Sequence, residues 1–118
     1  MPHSCRWRGG PRLYLVTRAD LPPGTQAVQG AHAALEFSVR HPDLASAWAR
    51  AGGSLLFLAA ADELALCWLL ADAQRDGYHA VPFCEPDLGN ALTAVAVYGA
   101  SRLCSRYPLA LRGGDNRR

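Results

Sequence analysis

The sequence has no lysine: all twelve of its basic side chains are arginine. A site built around an ammonium group is closed to it, and positive charge comes only as guanidinium, whose fork suits phosphate oxygens. The four cysteines, Cys5, Cys67, Cys84 and Cys104, lie far apart with no Cys-x-x-Cys pair, which excludes a zinc knuckle or a redox motif. Three of the four sit in apolar surroundings, so buried free thiols are expected. Long hydrophobic runs are also missing. Leu55 to Ala61 and Leu64 to Ala71 are too short to span a bilayer, and no charged segment followed by an apolar signal core opens the chain. A soluble, cytoplasmic protein with no membrane partner is the expectation. There is no internal repeat. With 118 residues, half of them apolar, the chain fits a single domain that buries its own core.

The arginines are unevenly spread. Arg6, Arg8, Arg12 and Arg18 open the chain and Arg112, Arg117 and Arg118 close it, a pattern that suits an RNA partner if both ends leave the sheet on one side. Residues 1–12, with two glycines, two prolines and no periodicity, read as a flexible lead-in, and residues 112–118 as a disordered basic tail.

Between these ends the pattern alternates strand and helix. Leu13 to Thr17, Leu55 to Ala59, His79 to Cys84 and Leu92 to Tyr98 read as strands, the third confined to an edge or a bulge by Pro82. One helix is expected from about Thr25 to Arg40, a second around Leu44, Ala47, Trp48 and Ala51, a third between an Asp62 cap and Asp76-Gly77, and a last short one over Ala100 to Arg106. The order β-α-α-β-α-β-β-α predicts an α/β domain over residues 13–111, a four-stranded mixed sheet with helices on both faces. Trp48 reads as a core anchor. In the third helix Leu64, Cys67, Trp68 and Ala71 form the expected inward stripe, and the surplus of Leu66, Leu69 and Leu70 points to a homodimer contact.

The first helix is the chemically interesting one. Thr25 is positioned to cap its amides, and Val28, Ala31, Leu35 and Val39 recur as a stripe expected to be buried. Gln29, His32 and Glu36 then fall along one margin of that stripe. An imidazole between an amide and a carboxylate on a rigid helix suits proton transfer near neutral pH. Arg18 and Asp20 follow the first strand directly, at the carboxyl end where α/β sheets commonly hold ligands.

Taken in order, Arg18-Ala19-Asp20-Leu21, Gly24 with Ala27-Val28-Gln29-Gly30-Ala31-His32-Ala33, the aspartate-capped helix, and Glu85-Pro86-Asp87-Leu88-Gly89-Asn90 followed by Thr93 resemble the type 2 peptidyl-tRNA hydrolases, and within them a short bacterial and phage branch. The resemblance implies a hydrolase that cleaves the ester between a peptide carboxyl and the 3′-terminal ribose of tRNA, with no metal or organic cofactor, on a fold that forms dimers in some members. It makes His32, Gln29 and Thr93 catalytic, together with a carboxylate in the loop before the last strand. Either Asp87 or Glu85 aligns there, and Asp87 is favoured because Pro86 tethers Glu85 near the strand end. Substrate contacts are implied for Arg18, Asp20, Gly24, Thr25, Glu85 and Asn90. Thr25 is the departure: better-known members carry a lysine there, so the complete family set is absent and Arg18 is the candidate replacement cation. Two other readings keep the fold: a tRNA-binding or interaction module without hydrolysis, and an acyl transferase that uses aminoacyl-tRNA.

Overall fold

Four strands form one sheet, and the helices between them pack on both of its faces. The computed structural model describes residues 10–112. In chain order the elements are β1 (Leu13–Arg18), α1 (Pro23–Arg40), α2 (Pro42–Arg50), β2 (Leu55–Ala60), α3 (Glu63–Arg75), β3 (Ala80–Glu85), a single 3-10 turn (Pro86–Leu88), β4 (Ala91–Tyr98) and α4 (Ser101–Cys104). The sheet order is β2-β1-β4-β3, with β1 parallel to β2 and β4 antiparallel to both β1 and β3. This is the expected four-stranded mixed sheet.

Alternation along the strands sends side chains to two separate apolar layers. Tyr14, Val16, Val95 and Val97 pack under α3 with Leu66 and Leu69. Leu13, Leu15, Ala94 and Ala96 pack under α1 with Ala33 and Phe37, and Trp48 of α2 packs against that layer while its Nε1 donates to Ser54 O at 2.6 Å. Pro82 stands on the edge strand β3, where its missing N–H costs the ladder nothing. Asp62 caps α3 by accepting from Ala65 N at 2.9 Å.

Both expected helix stripes face the wrong way. In α1 the buried residues are Gln26, Gln29, Gly30, Ala33 and Phe37, whereas Val28, Leu35 and Val39 are largely exposed. In α3 Leu66, Leu69 and Ala73 are buried, and Leu64 and Trp68 face outward. Each helix carries two apolar lines on opposite sides. Closeness and bonding decide between them. Gly30 lies so near Phe57 that a Cβ would come within 2.6 Å of its ring, and both glutamines on the buried side are satisfied at both ends of their amides. Gln26 Nε2 donates to Leu21 O and its Oε1 accepts from Leu111 N.

Two smaller expectations are also corrected. Helix α1 begins at Pro23 with Pro22 as its cap, because proline is preorganised for the first helical position, so Thr25 sits inside the first turn and caps nothing. Cys67 and Cys84 are exposed; of the described cysteines only Cys104 is buried, and burial pushes its thiol up to about 11. After α4 the chain returns to the open edge of β2, where Ala59 N donates to Pro108 O and Ala110 N to Phe57 O, covering that edge as a short extra strand does.

Cys5, Arg6, Arg8, Arg117 and Arg118 lie outside the described residues, as do most of the expected lead-in and tail. Of the lead-in, Arg12 O accepts from Gly99 N at 2.8 Å. Among the described residues no helix is long and apolar enough to cross a membrane.

Candidate functional site

The site starts from an irregularity in the sheet. Phe83 pairs with Ala94 and Cys84 with Leu92, so Thr93 is an extra residue in β4 and forms a bulge. A bulge turns a side chain out of strict alternation. Here it points Thr93 at α1, on the same side as Ala94, and its carbonyl is taken up by the Thr17 hydroxyl at 2.9 Å.

The Thr93 hydroxyl, fully buried, donates to Gln29 Oε1 at 2.6 Å. Gln29 Nε2 in turn donates to Glu85 Oε1 at 2.9 Å. The direction of this relay is dictated by chemistry. An ionised carboxylate only accepts, so the amide must present its N–H to Glu85 and its oxygen to Thr93. Glu85 Oε2 also accepts from Asp87 N at 3.1 Å, and Asn90 N donates to Glu85 O at 2.9 Å, closing the turn with Gly89 and Asn90 both left-handed (φ 65° and 63°). The Gln29 amide first, then the Asp87 N–H and the nearby His32 charge, hold the Glu85 carboxyl below the usual carboxylate range despite some opposing desolvation.

Over this relay lies an open groove of about 500 Å3, lined by Pro22, Gly24, Thr25 and Val28 from the start of α1, Gln29, and Glu85, Asp87 and Leu88 from the turn. The first intrahelical hydrogen bond of α1 is Gln26 N to Pro22 O, so the helix leaves the Gly24 and Thr25 N–H groups unused at the groove. His32 is exposed one turn further along, stacked on Phe83 at 4.5 Å between centroids and nearly parallel. The stack fixes the ring plane of this exposed side chain.

Five expected site residues, Gln29, Thr93, Glu85, Asp87 and His32, therefore gather around one end of α1, with Gly24 and Thr25 on the groove wall. Their depths differ. Gln29 and Thr93 are buried and hold other groups in place, Glu85 is the carboxylate tied into the relay, and Asp87 is an exposed part of the groove wall. Asn90 shapes the turn.

Arg18 and Asp20 lie elsewhere. By strand alternation Arg18 projects to the α3 side, with Tyr14 and Val16. It makes two bonds to Asp20, at 2.9 and 3.0 Å, and a third to Leu92 O at 3.3 Å, near Glu63. Bonding to Asp20 raises the guanidinium and lowers the carboxyl. This pair ties the end of β1 to the start of α3, and Glu63 itself accepts from Leu92 N at 2.9 Å.

Sequence reasoning missed Phe83, the platform for His32, although its parity with buried Val81 marks it as facing α1. It also missed the groove-lining roles of Pro22, Val28 and Leu88. Among the described residues no group of three or more His, Cys, Asp or Glu side chains is arranged to hold a metal ion. No protein-family model and no curated protein matches the chain.

Proposed function

We propose that the protein hydrolyses the ester linking a peptide, or an N-blocked aminoacyl group, to the 3′-terminal ribose of tRNA, as do the type 2 peptidyl-tRNA hydrolases its motifs resemble. The observation that carries the reading is the Thr93–Gln29–Glu85 relay beside His32. Residues 64 and 56 positions apart in the chain, each singled out by its place in a motif, meet in one bonded network under one groove. A cytoplasmic location goes with this reading.

The chemistry asks for a base, a means of stabilising the resulting cation, and donors for the oxyanion. His32 takes a proton from water as the water oxygen bonds to the ester carbonyl carbon. Glu85, kept ionised by its donors, stabilises the imidazolium. The tetrahedral intermediate collapses by breaking the bond to the ribose oxygen, which recovers the proton from His32. Gln29 has both ends of its amide committed, so it acts as a positioning residue, as does Thr93. The oxyanion donors proposed are the Gly24 and Thr25 N–H groups at the start of α1, where the helix dipole also favours negative charge.

One observation favours an interaction module without hydrolysis instead. Among the described residues the only charged side chains lining the groove are the carboxylates of Glu85 and Asp87, which repel tRNA phosphate. Incubation with an N-acetyl-aminoacyl-tRNA separates the readings. Free N-acetyl amino acid and deacylated tRNA support hydrolysis, a new amide product means acyl transfer, and tRNA bound but intact leaves the module.

A further inference from the structure

The groove over the relay combines apolar walls with negative charge. Pro22 and Val28 line it from the α1 side and Leu88 from the turn, and Val28 and Leu88 are 52 and 45 % exposed. Among the described residues no cation lines it. Its two carboxylates are not equivalent. Glu85 is committed, with Oε1 accepting from Gln29 Nε2 and Oε2 from Asp87 N. Asp87 gives Glu85 its backbone N–H, and among the described residues no hydrogen bond or ion pair reaches its exposed side chain.

We propose that the groove selects an acyl residue whose side chain has a long apolar stem and ends in a cation, lysyl or arginyl, and that Asp87 receives the charge. The proposal rests on the hydrolase reading and names the part of the substrate that the groove takes. Carboxylates that repel phosphate keep the tRNA body out of the groove, which leaves the acyl group to occupy it. With the ester oxygen at the Gly24 and Thr25 N–H groups, the side chain of the esterified residue extends into the rest of the groove.

Both halves of such a side chain have a counterpart there. A lysine or arginine stem buries methylenes along apolar surface while its head stays hydrated, and Pro22, Val28 and Leu88 supply that surface in a groove open to water. The head meets the one lining carboxylate that has no partner, so Glu85 remains available to the His32 imidazolium. A neutral side chain covers the same walls and leaves Asp87 unpaired. An acidic one meets two like charges. A free α-ammonium has the same charge, but it sits beside the ester with no stem, so it leaves the apolar walls without a partner. The charge contributes modestly. Exposed ion pairs are worth up to about a fivefold preference, and salt screens it.

The test compares acyl groups on a single tRNA body. Nα-acetyl-lysyl-tRNA and its Nα,Nε-diacetyl form share the stem and differ in charge, Nα-acetyl-glutamyl-tRNA reverses the charge, and leucyl-tRNA with a free amine carries the cation at the α position. At low salt, kcat/KM for the lysyl ester should exceed that for the diacetyl ester by about three- to fivefold, with the glutamyl ester slowest and the gap closing as salt rises. Asp87→Asn should bring the lysyl-to-diacetyl ratio close to one, and Asp87→Lys should favour the glutamyl ester. Equal rates for the lysyl and diacetyl esters, or a ratio that Asp87→Asn leaves unchanged, overturn the proposal while the hydrolase reading stands. Leucyl-tRNA cleaved faster than the Nα-acetyl-lysyl ester also overturns it, by assigning the carboxylates to an α-ammonium. Binding is read separately, from amide shifts as Nα-acetyl-lysine methylamide or its Nε-acetyl form is added at millimolar concentration. Shifts at Val28, Asp87 and Leu88 with the charged probe alone, in a protein that cleaves no ester, uphold the selectivity and refute the hydrolase reading. Equal shifts with both probes, or none with either, in such a protein overturn the proposal as well.

Discussion

Replacing Thr93 with valine removes one hydroxyl from a fully buried position and almost nothing else. Its hydroxyl is the donor, at 2.6 Å, to a Gln29 carbonyl in a side chain that is 4 % exposed. Thr17 continues to bond the residue 93 carbonyl, so the bulge itself is not the casualty. A buried acceptor left without a donor costs about 1–3 kcal/mol. Taking about 2 kcal/mol, the melting temperature should fall by roughly 6–10 °C for a chain of this size. Gln29→Leu should cost less, because the Thr93 hydroxyl can turn to Phe83 O, already 3.3 Å away, and Glu85 keeps its bond from Asp87 N. The double variant leaves no orphan on either side. Its loss should fall short of the sum of the singles by about 1 kcal/mol. Urea unfolding of all four proteins, followed by far-ultraviolet circular dichroism, measures the cycle. A Thr93→Val variant within about 0.3 kcal/mol of wild type, or strict additivity, would refute the relay.

Glu85 makes stability depend on pH. A carboxyl held low contributes stability that is present above its unfolded pKa and lost as pH falls through the folded value. The stability advantage of wild type over Glu85→Gln should therefore be full above the unfolded carboxyl's pKa of about 4.3 and close as the pH falls through the lower folded value, as denaturation at graded pH will report. Gly30→Ala forces a Cβ to 2.6 Å from the Phe57 ring and should cost about 1–3 kcal/mol, with partial recovery when Phe57→Leu is added. Arg18→Ala frees Asp20 and the Leu92 carbonyl, and should cost about 1 kcal/mol in thermal unfolding. The salt dependence of tRNA binding should not change in that variant; a slope shallower by about one would make Arg18 a phosphate contact.

The sequence signals that survive folding are those with a local cause. Asp62 caps α3 because an aspartate before an apolar run has few other uses, and Pro82 marks the edge strand because it cannot donate to a ladder. The orientation of α1 and α3 was not legible in the same way. Each helix offers two apolar lines, and periodicity ranks them by hydropathy alone. The side that is buried in α1 contains two glutamines and a glycine, which look polar or neutral one by one. Their partners, Thr93, Glu85, Leu21, Leu111 and Phe57, come from distant parts of the chain. Glu85 and Asp87 are indistinguishable in sequence for a related reason: the short turn over Pro86–Leu88 directs the Glu85 side chain inward to Gln29 and leaves Asp87 on the groove wall. Nothing local announces the bulge at Thr93, and nothing local announces the return of residues 108–110 to the edge of β2.

The central claim is that His32 serves turnover and not folding. Its ring is exposed and touches the fold through the stack on Phe83, so His32→Ala should stay folded, losing at most about 1.5 kcal/mol. The decisive measurement is the rate at which N-acetyl-aminoacyl-tRNA is deacylated by excess protein, wild type beside His32→Ala, each corrected for spontaneous hydrolysis. The account predicts release by wild type that falls about a hundredfold or more in the variant. Equal release by a folded His32→Ala protein, or none by wild type, would contradict it.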